Sequence, residues 1–400
     1  MIPPHRLDID APWLFEALAS PWGADPAEAA RRLEEFWAPA GDGIACLSVR
    51  SAFALLLQAA GWAAGDEVVC TAINIPDMRR IITEHRLTAT VVDVAEDTLA
   101  PEPGALERAL GPRVRAVLVA HLFGGRVKLE PILALARPRG IMVIEDAAQA
   151  FRGPRERGHP EADVSLFSFG MLKTATACGG ALTRVRNPAL LTRMRQIQAG
   201  WPLQPAGAYF RRLLRMCAIA AGQIPPVYGA LSAGLRGAGV SLGAVMRAMS
   251  RGLPDRADAS YLDCLQLAPC APLLNFLTRR LQRFDPERLL HRAAAAESVL
   301  SRFPASMRVG TGLEAPSWWL APLLVPAPGQ LRKRLLNEGF DVSDASNVCA
   351  IGEVPRARAM IEHLVFLPVA PEYPPRVLER LADCVQGAIA ETSAPGAAPC

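Results

Sequence analysis

The stretch VRAVLVAHLFGGRVKLEPILALARPRGIMVIEDAAQA (114–150) decides the fold. Val114 to Leu122 and Ile141 to Ala148 are short runs dominated by apolar residues, as expected of strands in a sheet covered on both faces. Between them Leu129 to Arg137 has helical spacing and leads through Gly140 into the second run. A strand, a helix and a strand of these lengths predict a parallel crossover unit.

The same alternation extends outward from this unit. Upstream, Glu28–Trp37 is an amphipathic helix and Ser51–Ala60 an apolar helix stopped by Gly61. GDEVVCTAI (65–73) then reads as a turn and buried strand, 77–85 as a helix, TATVVDV (88–94) as a strand and 103–110 as a helix. Downstream follow the short strands DVSLFSF (163–169) and GGALTRV (179–185) and the helix PALLTRMRQIQ (188–198). The expected class is α/β, with a mostly parallel, mixed sheet covered by helices. From Asp285 the pattern becomes α+β: a helix over 286–301, the strand SWWLAPLLV (317–325), and helices over 329–339 and 374–390. The resulting division is an N-terminal arm and helix (1–40), a large domain (41–200), a helical insertion and connection (201–284), and a small C-terminal domain (285–400) ending in a frayed tail.

Met216 to Leu235 contains no charged residue, but Gln223, Pro225, Pro226 and several glycines interrupt it, which argues against a bilayer-spanning helix. Arg211, Arg212 and Arg215 flank it on one side and Arg236, Arg247 and Arg251 on the other. The expectation is a helical pair over 201–260 that touches a membrane surface, roofs an apolar substrate, or packs on its own domain or a partner subunit.

A chain of 400 residues, 51% hydrophobic and 20% charged, excludes a disordered protein or a disulfide-stapled mini-domain. Its 43 basic and 39 acidic residues are interleaved, leaving no nucleic-acid footprint. Nine scattered cysteines without a Cys-x-x-Cys pair, and no secretory signal at the N-terminus, fit a cytoplasmic protein without a structural metal.

Only three basic residues are lysine: Lys128, Lys173 and Lys333. Lys173 sits in LFSFGMLKTATACGGAL among apolar residues with no acidic neighbour, a setting that favours the free amine and hence Schiff-base chemistry. Asp146 ends a buried strand, where parallel sheets open onto their ligand crevice, although such an aspartate also serves as a helix cap. Ser48 to Ala52 begins a helix, whose N–H groups and dipole suit an anion; Ser51 and Ser168 can add hydroxyls. An amine, a carboxylate for a pyridinium nitrogen and an anion-binding helix start together point to pyridoxal 5′-phosphate.

GDEVVCTAI, TVVDV, VAHLFG, VIEDAAQA, FSF with the lysine and GGAL, and FLPVAPEYPPRVLERLADCV resemble the DegT/StrS family of pyridoxal-phosphate aminotransferases. The resemblance implies fold type I and a homodimer that moves an amino group from a donor, L-glutamate, to a carbonyl acceptor such as a keto-sugar nucleotide or a more apolar intermediate. By position it assigns Lys173 as the Schiff-base lysine, Asp146 as the pyridine-nitrogen partner, Gln149 to the ring's hydroxyl side and Ser168 to the phosphate. Arg50 and Ser51 fall in the family's phosphate turn, where Val49-Arg50 replaces Gly-Thr. Ile75 stands where the family stacks an aromatic ring, and His121 matches a histidine near the cofactor, though a turn could equally satisfy it. Trp318 and Trp319 either line a substrate mouth or are buried in the small domain. A lyase or dehydratase using the same lysine, and a non-catalytic, membrane-associated protein that binds the cofactor, are the alternatives.

Overall fold

The computed structural model describes residues 1–20, 22–236, 242–250, 260–345 and 348–393. The first half contains β1 (Gly43–Cys46), β2 (Glu67–Thr71), β3 (Ile73–Asn74), β4 (Thr88–Val92), β5 (Val114–Ala120), β6 (Met142–Asp146), β7 (Val164–Ser168) and β8 (Ala181–Val185). All but β3 join one seven-stranded sheet in the order β1-β8-β7-β6-β5-β2-β4. β4, β2, β5, β6 and β7 run parallel, while β8 is antiparallel to β7 and β1 to β8. Two reversals restore the direction, so β1 runs with β7. The helix that follows β1 therefore starts at the same edge where β5, β6 and β7 end.

The apolar runs have their predicted cause. Val68, Leu118, Ile144 and Leu166 pack on one face against Phe53 and Leu56 of the helix Val49–Ala60. Their neighbours Val69, Val117, Val119 and Val143 point the other way, onto Leu106, Ile132 and Leu133. Side chains alternate across a strand, so a sheet covered twice needs apolar residues at both parities. The helix expected over 51–60 begins at Val49 because the Ser48 hydroxyl caps the Ser51 N–H at 3.1 Å, and it stops at Gly61, whose φ is +64°.

The second half adds β9 (Ala321–Leu324), β10 (Ser343–Asp344), β11 (Cys349–Ala350) and β12 (Leu364–Leu367). β10, β12 and β9 form an antiparallel sheet in that order, and β11 pairs with β3 of the first half. The helices Glu287–Leu300 and Pro375–Ser393 close a core around Val299, Leu323, Val365 and Leu381. The strand expected over 317–325 starts only at Ala321. Ser317 to Leu320 instead wrap onto the Phe123-Gly124 turn: Ser317 N–H donates to the Gly124 carbonyl and Leu320 N–H to that of Phe123.

The insertion forms the helices Ala206–Gly222 and Pro225–Arg236, broken at Gln223-Ile224, where the Gln223 side chain accepts the Leu7 N–H at 3.2 Å. Tyr209, Leu213, Met216 and Ile219 are buried on one face, while Phe210, Leu214, Ile224, Val227 and Leu231 are exposed. No helix among the described residues is long and apolar enough to cross a membrane. The side chains of Arg236 and Arg247, the whole of Arg251 and the end of the tail (394–400) lie outside the described residues.

Candidate active site

The sheet edge gathers most of the expected residues. Asp146 ends β6, His121 follows β5 and Ser168 ends β7. One Asp146 oxygen accepts the Ala148 N–H at 3.0 Å; the other has no partner among the described residues. Burial pushes the Asp146 carboxyl up, against the pull of that N–H and of the Lys173 charge. A cationic donor at the open oxygen would complete the compensation.

Glu145, the neighbouring carboxylate, is spent on structure. It accepts His121 Nε2–H at 3.0 Å and His159 N–H at 2.6 Å, and the Ser165 hydroxyl bonds it as well. Burial alone would raise its pKa, yet His121 and Ser165 hold it below the ordinary value. His121 Nδ1 accepts the Val127 N–H at 3.1 Å, which fixes the ring proton on Nε2. Both ring nitrogens of His121 are thus engaged within the protein.

Lys173 lies half-buried in a tethered loop. Leu172 O accepts the Trp319 indole N–H at 2.9 Å, Thr174 Oγ1 accepts Arg292 at 3.2 Å, and the Ala175 N–H donates to Asp8 at 2.6 Å. Asp8 also pairs with Arg288 at 2.8 Å. Lys173 Nζ forms no ion pair among the described residues and rests over the Trp319 ring, 4.1 Å from its centroid. Burial lowers its pKa to about 8, with Asp146 raising and Arg50 lowering it. The amine is therefore free at mildly alkaline pH.

The helix start at Ser48 leaves the N–H groups of Val49 and Arg50 without an acceptor among the described residues, and the Ser48 and Ser51 hydroxyls lie 3.0 Å apart. Arg50 pairs at 3.5 Å with Asp77, which also accepts the Tyr261 hydroxyl at 2.6 Å. Ser168 Oγ accepts the Gly170 N–H at 3.4 Å, one turn before Lys173. Gln149 Oε1 accepts the Phe123 N–H at 3.0 Å, so its NH₂ group is the end left for a ligand acceptor. Ile75 precedes the helix Pro76–Glu84 and packs half-buried against the core under the helix Val49–Ala60.

The two tryptophans separate. Trp318 is buried in the core around Val299, Leu323, Val365 and Leu381 with its N–H on Glu297 at 2.8 Å, whereas Trp319 covers the lysine. Further residues here carry no local sequence signal. His5 meets the Trp319 ring edge-on at 5.7 Å, and burial, then the Arg292 charge, lower its pKa to about 4. Arg212 of the insertion donates to the Cys178 carbonyl at 3.4 Å, and its pKa is lowered by burial and by the charge of Arg50.

An amine without an ion pair and a carboxylate with one open oxygen among the described residues, together with an anion-binding helix start, fit pyridoxal phosphate, and the fold is that of the type I enzymes that use this cofactor. Residues 16–210 match the model of the DegT/DnrJ/EryC1/StrS aminotransferase family. Solved structures share the fold across nearly the whole chain. The aminotransferase TlmJ from Streptoalloteichus hindustanus superposes with a TM-score of 0.67 at 19% identity, covering 96% of each chain. The sugar aminotransferase CalS13 from Micromonospora echinospora gives 0.65 at 18%, over 97% of this chain and 100% of its own. NtdA from Bacillus subtilis, solved with bound cofactor PMP, gives 0.64 at 16%, over 95% of this chain and 82% of its own.

Proposed function

We propose that the protein moves an amino group from L-glutamate to a carbonyl acceptor, with Lys173 as the reacting amine. The observation that carries this reading is the Lys173 amine, held over the Trp319 ring without a carboxylate partner among the described residues, its pKa lowered by burial to about 8, and raised in part by the charge of Asp146. Pyridoxal phosphate, when bound, supplies an aldehyde that bonds amines and a ring that takes up the electron pair left at the substrate carbon. Asp146 holds the proton on the ring nitrogen. Lys173 carries a proton between the substrate carbon and the cofactor carbon that bears the amine, as general base and then acid. Ser51, Ser168, Arg50 and the free N–H groups at the helix start bind the phosphate, and the Gln149 NH₂ group orients the ring hydroxyl. Ile75 and His121 shape the pocket wall, His121 from behind through the Phe123–Val127 turn.

A keto-sugar nucleotide is the favoured acceptor class, because CalS13, which shares the fold, is described as a sugar aminotransferase. The chain acts as a cytoplasmic homodimer, with the boundaries of its large and small domains near residues 200 and 285. The exposed stripe of Phe210, Leu214, Ile224, Val227 and Leu231 is the surface for the partner subunit. Sedimentation of the purified chain tests this; a monomer that pellets with anionic vesicles would give the stripe to a lipid surface instead.

The test of the reaction is the visible absorbance of the protein with added cofactor. A band that forms in the wild type, is absent in Lys173→Ala and is lost when L-glutamate is added supports the proposal. A band that glutamate leaves unchanged would contradict the donor and favour a lyase or dehydratase.

A further inference from the structure

Trp319 is held in place from three sides. Gly124, at φ +92°, has no room for a side chain: a Cβ there would lie 2.4 Å from the Trp319 backbone nitrogen and 2.9 Å from that of Trp318. The Trp319 indole N–H is fixed by the Leu172 carbonyl, and His5 of the N-terminal arm abuts its ring. The arm is itself tied down: the Ile2 N–H donates to the Gly339 carbonyl at 2.8 Å, the Leu7 N–H reaches Gln223, and Asp8 anchors Ala175. With so many constraints the ring face has little freedom to turn away from the lysine.

The loop that carries Lys173 is bound to the same tryptophan one residue earlier, so ring and amine move as a unit. A cation over an indole face is attracted by the ring's quadrupole, an interaction that strengthens where water is excluded. The neutral amine gains no such attraction. Among the described residues the other titratable or charged groups around the Lys173 loop are Asp146 at the end of β6, Arg50 on the helix Val49–Ala60, His5 and Asp8 on the arm, and Arg292 on the helix Glu287–Leu300, which is bound to Ser317 and Thr174. Of these the carboxylates favour the ammonium form, Asp146 acting on the amine directly and Asp8 being engaged by Ala175 and Arg288.

We propose that Trp319 is a positioning residue for Lys173: its indole face holds the ε-ammonium whenever the amine is not bonded to the cofactor, and so governs how readily that amine gives up its proton. The proposal rests on Lys173 being the reacting amine, and it gives a role to an aromatic ring from the small domain at a site whose aligned position, Ile75, is aliphatic.

The chain's three lysines make the test direct. Reductive methylation with ¹³C-formaldehyde labels Lys128, Lys173, Lys333 and the Met1 amine, and a pH titration followed by NMR reads each midpoint in the full chain without cofactor. The wild-type Lys173 midpoint is expected near 8, and Trp319→Phe, which keeps a ring face, should hold it there. Trp319→Leu and Trp319→Met, which keep the bulk without the face, should lower it by about half a unit or more. A circular-dichroism spectrum and melting temperature matching wild type report an intact fold, and either aliphatic variant suffices if the other does not fold. A Lys173 midpoint that stays put or rises in the aliphatic variants overturns the proposal. Since no cofactor is involved, that result would leave the reading of Lys173 as the reacting amine standing, whereas a cofactor bond formed at another residue would remove it.

Discussion

His121 donates its Nε2 proton to Glu145 at 3.0 Å, and both side chains are 1% exposed. The pair joins the ends of two adjacent parallel strands behind the candidate site. Its chemistry is structural, because each remaining polar atom is met by Val127, His159 or Ser165.

Glu145→Ala would leave those buried donors without an acceptor and should cost about 3 kcal/mol or more of unfolding free energy. The pH sign follows from the depressed folded pKa. Glu145 stabilises the fold above its unfolded value of 4.5, and the contribution is lost as pH falls below that value through the folded one. Denaturant midpoints of wild type and variant should converge as the pH is lowered through this range.

Among the described residues only one Asp146 oxygen has a partner, the Ala148 N–H. Asp146→Asn keeps the shape and that contact but removes the charge that answers the ring nitrogen. The chain should fold with its melting temperature little changed and lose about a hundredfold or more in turnover. Turnover within tenfold of wild type would exclude the assigned role.

Burial holds the Lys173 pKa at about 8. The rate at which added cofactor bonds to the protein should therefore rise about tenfold per pH unit below that value and level off above it. Stopped-flow absorbance across pH 6 to 10 would show the break; a rate still climbing at pH 10 would mean an ordinary, solvated lysine.

Gly124→Ala places a Cβ against the Trp319 backbone nitrogen and forces a positive φ on a residue that resists it. The strain should cost about 1–3 kcal/mol. Cofactor affinity should fall with it, because the displaced Trp318-Trp319 segment carries the contact to Leu172. Equilibrium dialysis alongside thermal melting separates the two effects.

The seven-stranded sheet is legible in the sequence because its determinants are local. Val117 and Leu118, or Val143 and Ile144, are both apolar because each covers a different face, so the run itself announces a buried strand. Lys173 and Asp146 stood out as the odd lysine in an arginine-rich chain and the carboxylate at a strand end. The strand expected from Ser317 was different, since an apolar SWW triplet does not reveal that Gly124 sits opposite and pulls it out of the sheet. His5, Asp8 and Arg212 reach this region from sequence-distant segments through long-range contacts, which no periodicity records. His121 looked like a site residue from its place after β5; its partners, Glu145 and Val127, are visible only in three dimensions.

The central claim is that the cofactor bonds to Lys173. The protein is incubated with pyridoxal phosphate, reduced with borohydride to make the attachment permanent, digested, and the modified peptide is identified by mass spectrometry. With only Lys128, Lys173 and Lys333 as candidates, the prediction is one adduct per chain, on the peptide containing Lys173. An adduct on Lys128 or Lys333, or none at all, would contradict it.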